Sequence, residues 1–194
     1  QSLGGSGGNG GFSVAAGASA NLYPSASVGV SLGGKGGNGG DGFVCARHLA
    51  MEGIQTKVFF FFLSEELTGD QSINIGILAK GFSGFIELHV GETDQNLGKL
   101  SQAVKKADLI IDCLLGTGLL EAPKGAIAQA IELVNSVNLP VLSCDIPSGG
   151  DGSTGKVPGL AVQADVTCTF GLPKIGHLLY PGASMVGKLL LTNV

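Results

Sequence analysis

Three short segments of this sequence carry residues whose types and spacing could do chemistry. The first, Gly34-Lys35-Gly36-Gly37-Asn38-Gly39-Gly40-Asp41-Gly42, holds a G-x-G-x-x-G pattern at Gly34, Gly36 and Gly39. Glycines let a backbone approach a ligand, and the free N–H groups of a following helix favour an anion, so a phosphate-bearing ligand is the expected guest. Alone the pattern is weak, because a flexible surface loop has the same composition. The second, Asp112-Cys113-Leu114-Leu115-Gly116-Thr117-Gly118-Leu119, opens with a carboxylate inside the end of an otherwise apolar run. Burying an unpaired charge is expensive, so Asp112 is expected to have a partner, and a cation is the natural one. The third, Asp145-Ile146-Pro147-Ser148-Gly149, sets an acid directly after the short apolar run Val141 to Cys144 and follows it with a turn bearing a free hydroxyl. An isolated Asp there would more often cap a helix or form a turn.

The elements that must hold these segments alternate between strand and helix, the pattern of βαβ units around a parallel sheet. The sequence predicts strands near Ser27–Leu32, Lys57–Leu63, Phe85–Val90, Asp108–Leu114, Val141–Cys144, Val166–Phe170 and Lys188–Thr192. It predicts helices near Asp41–Met51, Gln71–Lys80, Thr93–Lys105 and Gly125–Val137. The phenylalanine run beginning at Phe59 reads as a strand buried on both faces. The expected fold class is α/β, a Rossmann-like three-layer sandwich with a mostly parallel central sheet. In such a sheet ligands bind beyond the strand C-termini, where the strand order reverses. The three segments would then converge, placing Asn38, Asp112, Asp145 and Ser148 around one crevice suited to a small molecule.

Composition narrows the partners. The chain has 194 residues, of which 13% are charged and 44% apolar, enough for one domain with a real core. Its net charge of -4 offers no broad basic field for nucleic acid. The longest unbroken apolar run, Val58 to Leu63, is far shorter than the roughly 20 residues of a membrane-crossing helix. Cys45, Cys113, Cys144 and Cys168 have no metal-ligand spacing and read as reduced thiols of a cytoplasmic protein. No charge occurs before Lys35, and Ser2–Gly11 recurs at Ser31–Gly40 with only Ser6 changed, to Lys35. Residues 1–26 are therefore read as a Gly/Ser/Ala-rich low-complexity segment, and 27–194 as the Rossmann-like domain.

Taken together, the motifs resemble those of the NAD(P)H-hydrate epimerases, the YjeF N-terminal domains. The resemblance runs from about Val28 to Val194 through GxGxNGGDG, the strand acid before GTGL, DIPSG with the following Asp151, Thr154 and Gly155, and TFGxPKxG with the later Pro181 and Gly182. It implies an isomerase that interconverts the R and S forms of NADHX and NADPHX, the hydrated nicotinamide cofactors, as metabolite repair. It implies a potassium ion against Asn38, Asp112 and Ser148. The substrate is placed against Gly37, Asn38, Gly39, Gly40 and Asp41, against Gly116, Thr117, Gly118, Leu119, Leu120, Glu121 and Ala122, and against Asp145. Asp145 is also the implied acid/base, because moving a hydroxyl between faces of C6 requires proton transfer at that oxygen. A C-terminal ADP-dependent dehydratase domain often accompanies the family in bacteria.

Three positions depart from the family pattern. Gly37 stands where Asn is usual, Leu120 where a basic residue is usual, and an uncharged stretch replaces the helical lead-in that helps form the family's homodimer. The first two changes would weaken binding or catalysis, with Lys124 nearby, and the third leaves the dimer open. Two other functions stay in view. One is a non-catalytic nucleotide-binding or scaffold protein, which the changes at Gly37 and Leu120 favour. The other is an NAD(P)-dependent oxidoreductase, whose ribose-binding acid would have to be Glu65 or Glu66, slightly late after the glycines. His48 and His177 lack a nucleophile partner and are assigned structural or solvent roles, and Lys174 is divided between a phosphate contact and a solvated loop position.

Overall fold

Glycine is a poor helix former, costing about 1 kcal/mol per residue relative to alanine, so local propensity starts the first helix only at Asp41. In the structure, a computed structural model describing residues 28–33, 37–61, 70–91, 94–119 and 121–192, that helix begins four residues earlier. Helix α1 spans Gly37–Met51 and takes in Gly37, Gly39, Gly40 and Gly42 of the first segment. What outweighs propensity is packing: Phe43, Cys45 and Ala46 are wholly buried, with Leu49 and Ala50 nearly so. The expected features at 1–27, at Gly34–Gly36, at Phe62–Leu63, at Glu65 and Glu66, at Thr93 and at Leu120 lie outside the described residues.

The remaining elements alternate as the sequence predicts, with β5, β6 and β7 at their predicted bounds and the other ends shifted by at most three residues. They are β1 (Val28–Gly33), β2 (Gln55–Phe60), α2 (Asp70–Gly81), β3 (Ile86–Val90), α3 (Asp94–Val104), β4 (Leu109–Cys113), α4 (Gly125–Ser136), β5 (Val141–Cys144), β6 (Val166–Phe170) and β7 (Lys188–Thr192). The strands form one sheet in the order β3-β2-β1-β4-β5-β6-β7, and every pairing is parallel. The strand order reverses between β1 and β4, where Leu32 pairs with Asp112 and Gly33 with Cys113.

Strand alternation divides the core into two layers. Phe59, Phe61 and Ile110 face the side covered by α3 and α4, with Leu100, Val104, Ile131 and Val134. Phe60 and Val58 face the side of α1 and α2, with Phe43, Ala46 and Leu78. The phenylalanine strand is thus buried on both faces, as its composition implies. Gly33 ends β1 because a Cβ there would lie 2.3 Å from the Phe60 ring, which stacks 3.6 Å from Phe43. None of the four cysteines forms a disulfide and all are buried, gathered between α1 and the middle of the sheet. Among the described residues no helix is long and apolar enough to cross a membrane.

Candidate active site

Asp112 sits one residue before the end of β4, in contact with the loop after β5. Its carboxylate is completely buried, and both oxygens are occupied by protein donors. Oδ1 accepts the Ser148 hydroxyl at 2.5 Å and the Leu114 N–H at 3.2 Å. Oδ2 accepts the Ser143 hydroxyl at 2.8 Å and the Ser148 N–H at 2.9 Å. Where the sequence points to a cation, the described residues supply hydroxyl and amide dipoles instead. Burial still pushes this carboxyl above its ordinary value, and the hydrogen bonds from Ser148, Ser143 and Leu114 pull the other way. Ser148 Oγ also accepts the Leu115 N–H at 2.8 Å, so the second and third segments are tied together directly.

Asp145 adopts φ 65°, a left-handed conformation costly for a residue with a Cβ. Ile146 N–H donates to the Cys144 carbonyl at 2.8 Å, closing a three-residue turn around it, and Asp145 N–H donates to Cys168 at 2.7 Å. A turn of this hand stores roughly 1–3 kcal/mol and persists only where its surroundings fix it. The loop after β6 supplies that support. Lys174 N–H donates to His177 Nδ1 at 3.0 Å, so Nε2 carries the ring proton and donates to the Asp145 carbonyl at 2.8 Å. Burial holds His177 below the ordinary histidine value, which keeps this neutral tautomer in place.

The Asp145 carboxylate makes an ion pair with the Lys174 ammonium and accepts the Thr169 hydroxyl at 3.1 Å. Lys174 also lies 3.2 Å from Thr169 Oγ1. With 9% of its surface exposed, Asp145 is nearly enclosed. The fourth segment, Thr169 to His177, carries Lys174, which the sequence divides between a phosphate contact and a solvated loop position and which the structure pairs with Asp145. Its only signal was the TFGLPKIGH motif, and nothing in a linear reading says that its lysine returns to the acid after β5.

The second loop reaches the same place, because a Cβ on Gly152 would lie 3.2 Å from both Lys174 Cδ and Thr117 Cγ2. Gly116, Thr117, Gly118, Leu119, Glu121 and Ala122 are partly or fully exposed there, whereas Lys124 is turned to Glu121 at 2.6 Å. From the first segment, Gly37, Asn38, Gly39, Gly40 and Asp41 form the start of α1; the side chain of Asn38 lies outside what is described. Asp41 precedes Cys45 by one helical turn, and Cys45 hydrogen-bonds Cys144 next to Asp145. Burial, with Cys144 and Asp145 adding to it, pushes the Asp41 carboxyl up to about 7. The Asp151 carboxylate instead accepts the Ser153 N–H at 2.8 Å and the Thr154 hydroxyl at 2.6 Å, a local turn in an exposed loop.

Gly149 closes the third segment at φ 99°, where a Cβ would lie 2.1 Å from the Leu160 carbonyl oxygen. Both the conformation and the contact exclude a side chain. Gly149→Ala is expected to lower unfolding stability by more than about 2 kcal/mol, checked by urea titration.

A profile of the YjeF-related protein N-terminus family matches residues 9–176. The chain belongs to the YjeF N-terminal family. Among its YjeF relatives is the bifunctional NAD(P)H-hydrate repair enzyme Nnr of Thermofilum pendens, 40% identical over 79% of this chain and 29% of that protein. Another is the NAD(P)H-hydrate epimerase of Pirellula staleyi, 38% identical over 67% of this chain and 56% of that protein. The chain therefore spans less than two thirds of either relative. The crystal structure of yeast YNL200c superposes with a TM-score of 0.76 at 24% identity, covering 94% of this chain and 75% of that one. That likeness supports the α/β fold described above.

Proposed function

We propose that the chain is an NAD(P)H-hydrate epimerase, an isomerase that interconverts the R and S forms of NADHX and NADPHX in nicotinamide cofactor repair. The observation that carries this reading is Asp145: a carboxylate in a left-handed turn, held by Lys174 and Thr169 near the reversal in strand order. The names of the Thermofilum and Pirellula relatives support it. Epimerisation at C6 needs the 6-hydroxyl to gain a proton and leave as water, so that the ring nitrogen shares the charge of a planar cationic carbon, and needs a water to add to the opposite face and lose a proton, with no net redox change. Asp145 gives the first proton and takes the second. Lys174 orients the carboxylate, and Asp41, with its carboxyl pushed up to about 7 and within electrostatic reach of Asp145, is partly protonated near neutral pH.

In this reading a potassium ion would take the oxygen donors at the end of β4, displacing hydroxyl contacts that Asp112 makes there. Asp112 Oδ1, Ser148 Oγ and the Leu115 carbonyl form an all-oxygen group, with Ser148 Oγ 2.5 Å from the first and 3.3 Å from the last. One carboxylate with neutral oxygens suits a singly charged ion better than calcium, which recruits more carboxylates. Asp112 and Ser148, with Asn38 as the third ligand, would hold it, and it would supply a fixed positive charge beside the dinucleotide. The Gly37–Asp41 and Gly116–Ala122 segments bind that dinucleotide. The same reading includes a cytoplasmic setting, a homodimer, and work beside an ADP-dependent dehydratase, for which the bifunctional name of the Thermofilum relative is the support.

The test follows R to S conversion of both hydrates by chromatography, with potassium or with a large organic cation in its place. Conversion well above the spontaneous rate, lost with the organic cation and in Asp112→Ala, is the expected result. A parent rate no faster than the spontaneous one, with dinucleotide still bound, would instead make the protein a nucleotide-binding scaffold, and Gly37 and Leu120 would be the first positions to restore.

A further inference from the structure

A second cavity, of about 340 Å³, lies between α3 and the outer strands β2 and β3. Its walls carry Lys57, Glu87, His89, Lys99, Lys105 and Lys106. The register explains the grouping: Lys57 pairs with Glu87 and Phe59 with His89, and Phe59 belongs to the layer beneath α3. Lys105 and Lys106 follow α3 and precede β4, at the opposite end of that strand from Asp112.

The charge here runs against that of the whole chain. Of 11 basic residues in a protein of net charge -4, four lysines surround one cavity with a single carboxylate among them. That carboxylate, Glu87, is engaged by Lys57 at 2.7 Å and lies 2.9 Å from His89 Nε2. Among the described residues Lys99, Lys105 and Lys106 have no carboxylate within ion-pair distance. The negative end of α3 accounts for two cations just beyond it. It does not account for Lys57 on a strand or Lys99 within the helix. At the cavity wall His89, 9% exposed, stacks on Phe59 with ring centres 4.6 Å apart. Burial first, then the nearby Lys99 and Lys57, hold its ring below the ordinary histidine value, against the pull of Glu87.

We propose that this groove is a binding site for a small oligophosphate anion, separate from the crevice at the strand C-termini. Ammonium groups from three parts of the chain repel one another across the groove, and a polyphosphate would replace that repulsion with charge-assisted hydrogen bonds. The volume stands at the low end of small-molecule sites, which run from about 300 to 1,000 Å³. A bounded cavity in an acidic protein favours a small anion over a nucleic acid.

Titration calorimetry of the full chain with inorganic pyrophosphate, at about 50 mM salt to limit screening, tests this. The parent should bind one equivalent, and Lys99→Gln combined with Lys106→Gln should weaken binding at least about tenfold, the effect of losing charge-assisted contacts. Circular dichroism and the R to S conversion rate should be unchanged, which separates this site from the epimerase reading. An arm with ADP identifies the source: affinity equal to pyrophosphate indicates recognition of phosphates alone, and tighter binding that is also lost in the double variant indicates a nucleotide. No binding up to about 10 mM pyrophosphate would overturn the proposal. So would affinity indifferent to the two substitutions, because the anion would then sit in the crevice.

Discussion

Asp145→Asn is expected to slow R to S conversion by about 10² to 10⁴, the range lost when a general acid/base is removed. Asparagine nearly matches the carboxylate in shape and can still accept from Thr169 and Lys174, so the site should keep its form while losing the ability to take a proton. The left-handed turn should survive, because asparagine tolerates that conformation better than most residues and because the bonds from His177 and to Cys168 involve only the backbone of residue 145. Dinucleotide binding should stay within a few fold of the parent. The decisive measurement is the single-turnover rate of hydrate conversion by chromatography, with binding measured in parallel. A variant that converts within a few fold of the parent would remove Asp145 from the chemistry and leave Asp41 as the carboxylate to examine.

The second large effect concerns stability and runs opposite to the usual behaviour of an aspartate. Asp41 rises from an ordinary 3.8 to about 7, first through burial and then through Cys144 and Asp145. Between those values the folded chain keeps a proton that the unfolded chain has released, so stability falls as pH rises from about 4 to about 7 and then levels off. The interval corresponds to about 4 kcal/mol at most. Asp41→Asn removes this loss. It should match the parent in urea unfolding near pH 4 and exceed it by up to about 4 kcal/mol at pH 8, while its conversion rate falls because the proton beside Asp145 is gone. An advantage of equal size at both pH values would show that the gain does not come from titration of this carboxyl. Greater stability with lower activity would mark Asp41 as a residue retained for function at a cost to the fold.

The sequence by itself determined the α/β class, the order of elements and three of the four segments at the site. Each rests on a local signal. The β-branched and apolar runs specify strands, the Gly and Pro positions separate them, and an acid at a strand end marks Asp112 and Asp145. Only the tertiary structure decided the start of α1, because packing of Phe43, Cys45 and Ala46 overrides the poor helix propensity of the glycines before them. It also decided what accompanies each acid. Asp112 is satisfied by Ser143, Ser148 and the Leu114 amide, which come from two strand ends and a loop. The cation beside Asp145 is Lys174, 29 residues further along the chain, brought back because β6 lies next to β5 in the sheet. Hydrophobic period and turn chemistry act over a few neighbouring residues, so they can be read along a line. Pairing between a carboxylate and a lysine on different loops depends on strand order and register, which exist only once the chain has closed into a sheet.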